Sequence, residues 1–378
     1  MKRFIFANQL RGIAVILVLF SHWFGVFWGM RETVATYTSS PIQLGDSPLI
    51  YHLISDIPNV SFGPIGVSIF FLISGFVIPF SLEKGNSWEF LVARLFRIFP
   101  TYWVGLILGL IGVWIASRLW NRPLILNCKI LLSNMFLYNG FIQMPSLDMV
   151  NWTLAIECIF YILAALFAKA IHNANVKPIF IFSGAVLIGN WKIVQVVEFL
   201  HIFPEAIRYL VTALMYVQFM LIGCFFFHAI REKISNRRLY FYVAIQLFLV
   251  CVTWRLGLQN NYFPVVPFNY FLGLCVFSVC FHFREKFKSR PFLDQIASVS
   301  FPLYVTHALG GYLLLKLLSQ WGLSFYASAS IAFSVVFFIV TLIHLYIEKP
   351  SIRLGEFFIN KIKRYQGESI RSTPYRVF

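Results

Sequence analysis

Apolar residues run in blocks of about twenty along most of this chain, separated by short polar or prolyl stretches. Blocks of that length are what a helix needs to cross a bilayer. Ten such runs can be read, over about 8–29, 63–81, 99–118, 151–171, 177–196, 205–228, 239–258, 264–283, 297–319 and 323–347. The fifth is the weakest, because Asn190, Trp191 and Lys192 interrupt its end. The apolar run from Cys128 to Ile142 is too short to cross and is expected to lie in the interface or to re-enter. The pattern therefore predicts an all-α polytopic integral membrane protein, with about ten transmembrane helices plus that short segment.

Composition agrees with the pattern. The 378 residues are 59% hydrophobic and 12% charged, with a mean hydropathy of +0.75, whereas soluble domains carry about 25% charged residues. A net charge of +16 would suggest nucleic acid in a soluble protein, but in so apolar a chain it reflects loop lysines and arginines, and no nucleic-acid partner is expected. Ten spans place both termini on one side. Arg31, Arg118, Arg122, Lys129, Lys192, Arg208, Arg255 and Lys316 then fall opposite the termini, and the remaining 23 of the 31 Lys and Arg residues, with Arg11 counted among them, fall on the terminal side. By the positive-inside rule both termini are expected in the cytoplasm.

Lys2-Arg3 before an apolar run looks like the start of a signal peptide. Arg11 interrupts that run, however, and the run continues too far and lacks a small-x-small cleavage site, so it is kept as a span. Six cysteines include no Cys-x-x-Cys and no cysteine-histidine cluster, so no metal site is expected. Loops such as 30–62 are too short for a soluble domain, and no transporter-type internal repeat is visible. The domain reading is one membrane domain over 1–353, followed by a short basic cytoplasmic tail over 354–378.

Against this apolar background a few polar side chains stand out, since ionisable groups at bilayer depth are costly and usually face a bundle interior or a water-filled cavity. Arg11 and His22 are eleven residues apart, which at about 100° per residue puts them on nearly the same helix face, about 16 Å apart. A snorkelling arginine and a packed histidine would also explain them. Arg94 and Arg97 form an i, i+3 pair at the cytoplasmic mouth of the third span. Two guanidinium forks side by side suit phosphate or pyrophosphate, although anchoring by the positive-inside rule is the commoner use of such residues.

The run from Gly66 to Phe76, with Ser74 and Gly75 at its inner end, is suited to close approach of a backbone or a ligand, and close helix packing is the plainer reading. Glu157 is expected about 9 Å below the outer edge of the fourth span, as an acid, a base, a hydroxyl binder or a structural partner. His307 lies at a depth like that of His22, with nothing in the spacing to say that they meet. His172, His201 and His282 read as interfacial, while His228 and His344 lack a companion motif. Pro350, after Glu348-Lys349, is expected to end the last helix.

Taken in order, these motifs resemble the membrane acyltransferase-3 family. They are Arg11 with His22; Phe70-Phe71-Leu72-Ile73-Ser74-Gly75-Phe76; Arg94-x-x-Arg97-Ile98-x-Pro100; Trp152-Thr153-Leu154-x-x-Glu157-x-x-Phe160-Tyr161; Ser300-x-x-Leu303-Tyr304-x-x-His307; and Glu348-x-Pro350. The resemblance covers about residues 5–353. One departure is Thr153, where a serine is common, and a hydroxyl is retained.

The resemblance implies transfer of an acyl group, expected to be acetyl, from cytoplasmic acyl-CoA to a hydroxyl of a cell-surface or lipid-linked carbohydrate, such as a lipopolysaccharide O-antigen, in a bacterial inner membrane. It implies that Arg11, Arg94 and Arg97 hold the CoA phosphates, and that His22 attends the transfer. Glu157 joins His22 as a catalytic candidate, while Ser74, Trp152, Tyr304 and His307 are candidates for acceptor binding or support. Acetyl-CoA would be a co-substrate, with no permanently bound cofactor. Partners would be acyl-CoA, the glycan acceptor and membrane lipids. Many relatives add a periplasmic esterase-like domain; here the membrane domain is expected to complete the transfer itself. The alternative is a proton-coupled transporter or flippase of a glycan precursor, its buried histidine and glutamate coupling protons. A third reading is a non-catalytic scaffold in envelope assembly.

Overall fold

The apolar runs become helices wherever the structure, a computed structural model, describes them: residues 4–83, 85–193 and 204–365, with no strand among them. Lys2, Arg3, Lys84, His201, the end of the fifth expected span (194–196) and the tail beyond 365 lie outside the described residues. The principal helices are α1 (Ile5–Gly29), α2 (Arg31–Thr38), α3 (Phe62–Leu82), α4 (Ser87–Leu119), α5 (Asn151–Leu166), α6 (Lys177–Ile188), α7 (Glu205–Ile230), α8 (Asn236–Leu256), α9 (Val265–His282), α10 (Pro291–Ser298), α11 (Ser300–Thr306), α12 (Leu309–Gln320) and α13 (Phe325–Tyr365). Seven of them, α1, α3, α4, α7, α8, α9 and α13, are long and apolar enough to cross a bilayer, and α11 with α12 makes a further span bent by 60°. The two remaining expected runs are shorter among the described residues: α5 has 16 residues, and α6 continues through a π turn, Gly189–Ile193.

Helix α3 is the centre of the bundle, with 83% of its most apolar window buried. Its small residues let neighbouring backbones come close. A Cβ on Gly75 would lie 1.9 Å from the Met220 carbonyl oxygen of α7, and one on Gly223 would lie 2.4 Å from the Leu72 carbonyl oxygen. Close packing therefore accounts for Gly75, and α1 and α9 approach α3 in the same way at Gly66 and Gly273. Because a backbone carbonyl cannot swing aside, Gly75→Val is expected to destabilise the bundle by at least the ~1–3 kcal/mol of ordinary overpacking. Melting temperature in detergent checks this, with Gly184→Val, where nothing lies within 4 Å, as the unaffected control.

Two helices outrun a bilayer. At 1.5 Å per residue the 33 residues of α4 and the 41 of α13 measure roughly 50 and 60 Å, against a hydrocarbon core of about 30 Å. Their ends pair side by side on the face that carries the N-terminus: Phe96 packs on Gly355 and stacks on Phe358 at 5.4 Å, and Lys363 pairs with buried Glu89 at 2.8 Å. Pro350 does not end the last helix as expected. A π turn, His344–Glu348, precedes it, so the proline falls in the first turn of the segment Lys349–Tyr365, where its missing N–H costs little.

The stretch between α4 and α5 turns back into the protein. After a short helix, Cys128–Met135, the carbonyls of Asn134 and Met135 accept hydrogen bonds from Tyr102 Oη and Trp103 Nε1, both at 2.9 Å, near the middle of α4. The Asn134 side chain then ties this turn to Pro145, Leu147 and Asn151 at 2.8–2.9 Å. Helix α5 consequently starts well inside the bundle.

Candidate active site

Three chambers follow one another through the bundle. The inner one, nearest the N-terminal face, encloses about 830 Å³ including its mouth and is lined by Arg11, Arg94, Arg97, Glu157, Ser74 and Tyr304, among others. The arginines arrive there because α1 and α4 turn their sparse polar positions toward the same gap. Arg94 is buried, donates to Ser81 Oγ at 2.5 Å and lies over the rings of Phe90 and Tyr161 at 5.3 and 5.6 Å. Arg97 lines the same chamber, and no side-chain hydrogen bond or ion pair engages it among the described residues.

Glu157 does not sit just below the far edge, as its position in the fourth run suggested. The re-entrant turn lowers the start of α5, so the carboxylate accepts from Ser74 Oγ at 3.0 Å and from Tyr161 Oη at 2.5 Å beside the arginines. It and Glu348 lie within electrostatic range of Arg11. Glu348 also accepts from His344 Nδ1 at 2.6 Å. That i, i+4 spacing was visible in the sequence as the companion His344 had lacked.

His22 faces the middle chamber, of about 950 Å³ including its mouth, together with the rings of Trp152, Tyr216, Trp254, Tyr262 and Tyr270. It stands in a π turn of α1, Ser21–Val26, seven residues or about 10 Å from the helix end. Its Nδ1 is hydrogen-bonded to Tyr312 Oη at 2.6 Å, and its ring meets that of His307 edge-on at 4.8 Å. The two histidines therefore do come together. His307 occupies the break between α11 and α12, where Trp23 Nε1 donates to its carbonyl at 2.9 Å. Its Nδ1 donates to the Tyr304 carbonyl at 2.8 Å, which leaves Nε2 without a partner among the described residues. Sequence reasoning missed Tyr312, whose only signal was a phenol in the middle of an apolar run five residues after His307.

Tyr304 and Val67 line both the inner and the middle chambers, and Tyr304 Oη is hydrogen-bonded to Thr153 Oγ1 at 2.7 Å. Arg11 and His22 thus face two neighbouring chambers that share Tyr304 as a wall. Ser74 belongs to the inner chamber and Trp152 to the middle one.

Met149 and Trp152 also border the outer chamber, of about 660 Å³ including its mouth, with Thr33, Tyr37, Asn139, Ser146, Asp148 and Tyr209. Asp148, outside the spans, was likewise missed. Burial raises its carboxyl to about 6, against the pull of backbone N–H groups of Val150 and Asn151. Among the described residues no group of three His, Cys, Asp or Glu side chains is arranged to hold a metal ion.

The sequence matches the model of one protein family, described as an acyltransferase domain, over residues 4–347. No curated protein and no solved structure matches it.

Proposed function

We propose that this chain, which belongs to the acyltransferase-3 family and is a membrane acyltransferase, moves an acetyl group from acyl-CoA to a hydroxyl of a cell-surface or lipid-linked carbohydrate. The observation that carries this reading is the adjacency, across Tyr304, of a chamber lined by three arginines and one holding His22. The N-terminal face is the cytoplasmic side of an inner membrane in this reading, as the 23 of 31 basic residues assigned to it favour. Acyl-CoA enters there, its phosphates held by Arg97 with Arg11 and Arg94 behind it, and its thioester reaches up past Tyr304. The acceptor comes from the opposite face into the middle chamber, whose aromatic rings suit the C–H faces of a sugar.

With Nδ1–H donating to Tyr312 Oη, His22 Nε2 can take the proton of the acceptor hydroxyl as its oxygen attacks the thioester carbonyl. The tetrahedral intermediate collapses to the ester and the CoA thiolate, and the thiolate regains the proton from the imidazolium. His307 packs against the His22 ring and holds its edge-on position. Glu157, on the donor side, offsets the arginine charge rather than orienting His22.

The test is CoA release by purified protein in liposomes given acetyl-CoA and a surface-glycan extract. Free thiol is expected, matched by ester on the glycan. A proton-coupled carrier would move glycan with no thiol released, and that outcome would replace the present reading.

A further inference from the structure

Capping explains only half of the Asp148 carboxylate. The residue is 3% exposed; its Oδ1 accepts the backbone N–H groups of Val150 and Asn151 at 2.8 and 2.7 Å at the start of α5, whereas Oδ2 has no hydrogen-bond partner among the described residues. A buried carboxylate oxygen left unsatisfied is costly and calls for a ligand to complete it. The chamber it borders offers hydroxyls of Thr33 and Tyr37, the Asn139 amide and the ring of Trp152, while the Ser146 hydroxyl is already donated to the Asp148 carbonyl and Asn151 Oδ1. About 310 Å³ of the chamber is cavity proper, at the lower end of the ~300–1,000 Å³ of small-ligand sites.

The lining selects the chemistry. A lipid chain would leave Oδ2 and the hydroxyls dry, and a metal cation would find Asp148 as the only carboxylate among the described lining residues. A pyranose fits both demands: one ring hydroxyl donates to Oδ2, others exchange hydrogen bonds with the hydroxyls and amide, and the C–H face lies on Trp152. Because Met149 and Trp152 border the middle chamber too, a ligand seated here lies next to the chamber that His22 faces.

We propose that the outer chamber is a pyranose subsite, holding the sugar unit next to the one acylated, with Asp148 Oδ2 accepting a ring hydroxyl. This rests on the reading of the chain as a carbohydrate acyltransferase, and the two can fail separately. The probes are methyl α-D-glucopyranoside, methyl α-D-mannopyranoside, methyl β-D-galactopyranoside and methyl α-L-rhamnopyranoside, observed by saturation-transfer NMR on purified protein, with acetyl-CoA binding measured by calorimetry.

At least one glycoside is expected to bind the wild type. Asp148→Asn, whose amide oxygen can still cap α5, is expected to cut that signal at least fivefold while acetyl-CoA affinity stays within twofold. Should this variant lose the cap and fail to fold, Thr33→Trp, which fills the chamber from α2, carries the same expectation. No glycoside binding by the wild type, or undiminished binding by the folded variant, overturns the subsite and leaves the donor reading standing. Glycoside binding without any acetyl-CoA binding supports the subsite and sinks the donor reading.

Discussion

His22→Ala is expected to lower acyl transfer by about two to four orders of magnitude, the range a positioned general base supplies, while the protein still inserts and still binds acyl-CoA. The reason is geometric. Nδ1 is held by Tyr312 Oη at 2.6 Å and the ring borders the middle chamber, so Nε2 is the nitrogen left to meet a substrate hydroxyl. The arginines proposed to bind the donor line the inner chamber, apart from His22, so the affinity for acyl-CoA should not change. Tyr312→Phe keeps the ring but frees Nδ1; it should slow turnover roughly tenfold, at the level of one lost hydrogen bond, with the acyl-CoA KM unmoved. Thiol release and donor binding on the same purified samples decide it. Wild-type turnover in His22→Ala would remove the histidine from the mechanism.

The second large effect is on donor affinity. Arg97 lines the inner chamber with no side-chain partner among the described residues, so Arg97→Ala should raise the Kd for acyl-CoA roughly ten- to a hundredfold, the worth of charge-assisted hydrogen bonds. Its fold should stay intact. Arg94 differs. Buried against Ser81 and between the rings of Phe90 and Tyr161, it also holds α4 to α3 and α5, so Arg94→Ala should lose thermal stability along with affinity. Calorimetry with acyl-CoA beside a detergent melt separates the two arginines, and equal behaviour of both variants would contradict this division of labour. Arg97→Lys should recover only part of the affinity, since an ammonium cannot reproduce the planar fork.

Much of this was legible along the chain. Helix positions follow from apolar runs of bilayer length, because a backbone in lipid must satisfy its own hydrogen bonds within the helix. The candidate residues follow from the cost of polar groups in such runs, which makes Arg11, His22, Arg94, Arg97, Glu157 and His307 conspicuous. The order of the motifs pointed to the family that the match over residues 4–347 shows.

Depth and partnership were not legible. Counting residues from the start of its run misplaces Glu157, because hydrogen bonds from Tyr102 and Trp103 to the preceding turn, and from Asn151 to Asn134 within it, draw that turn into the bundle. Pro350 signals a stop in the sequence, yet the π turn before it lets the helix run on to Tyr365. The meeting of His22 with His307 and Tyr312, 285 to 290 residues away in sequence, depends on a 60° break between two helices that no local pattern announces.

The sequence by itself determined which side chains are too polar for their surroundings, because that cost is local to each residue. Only the tertiary structure decided which chamber each one faces, because that depends on where turns, breaks and close-packed glycines set one helix against the next.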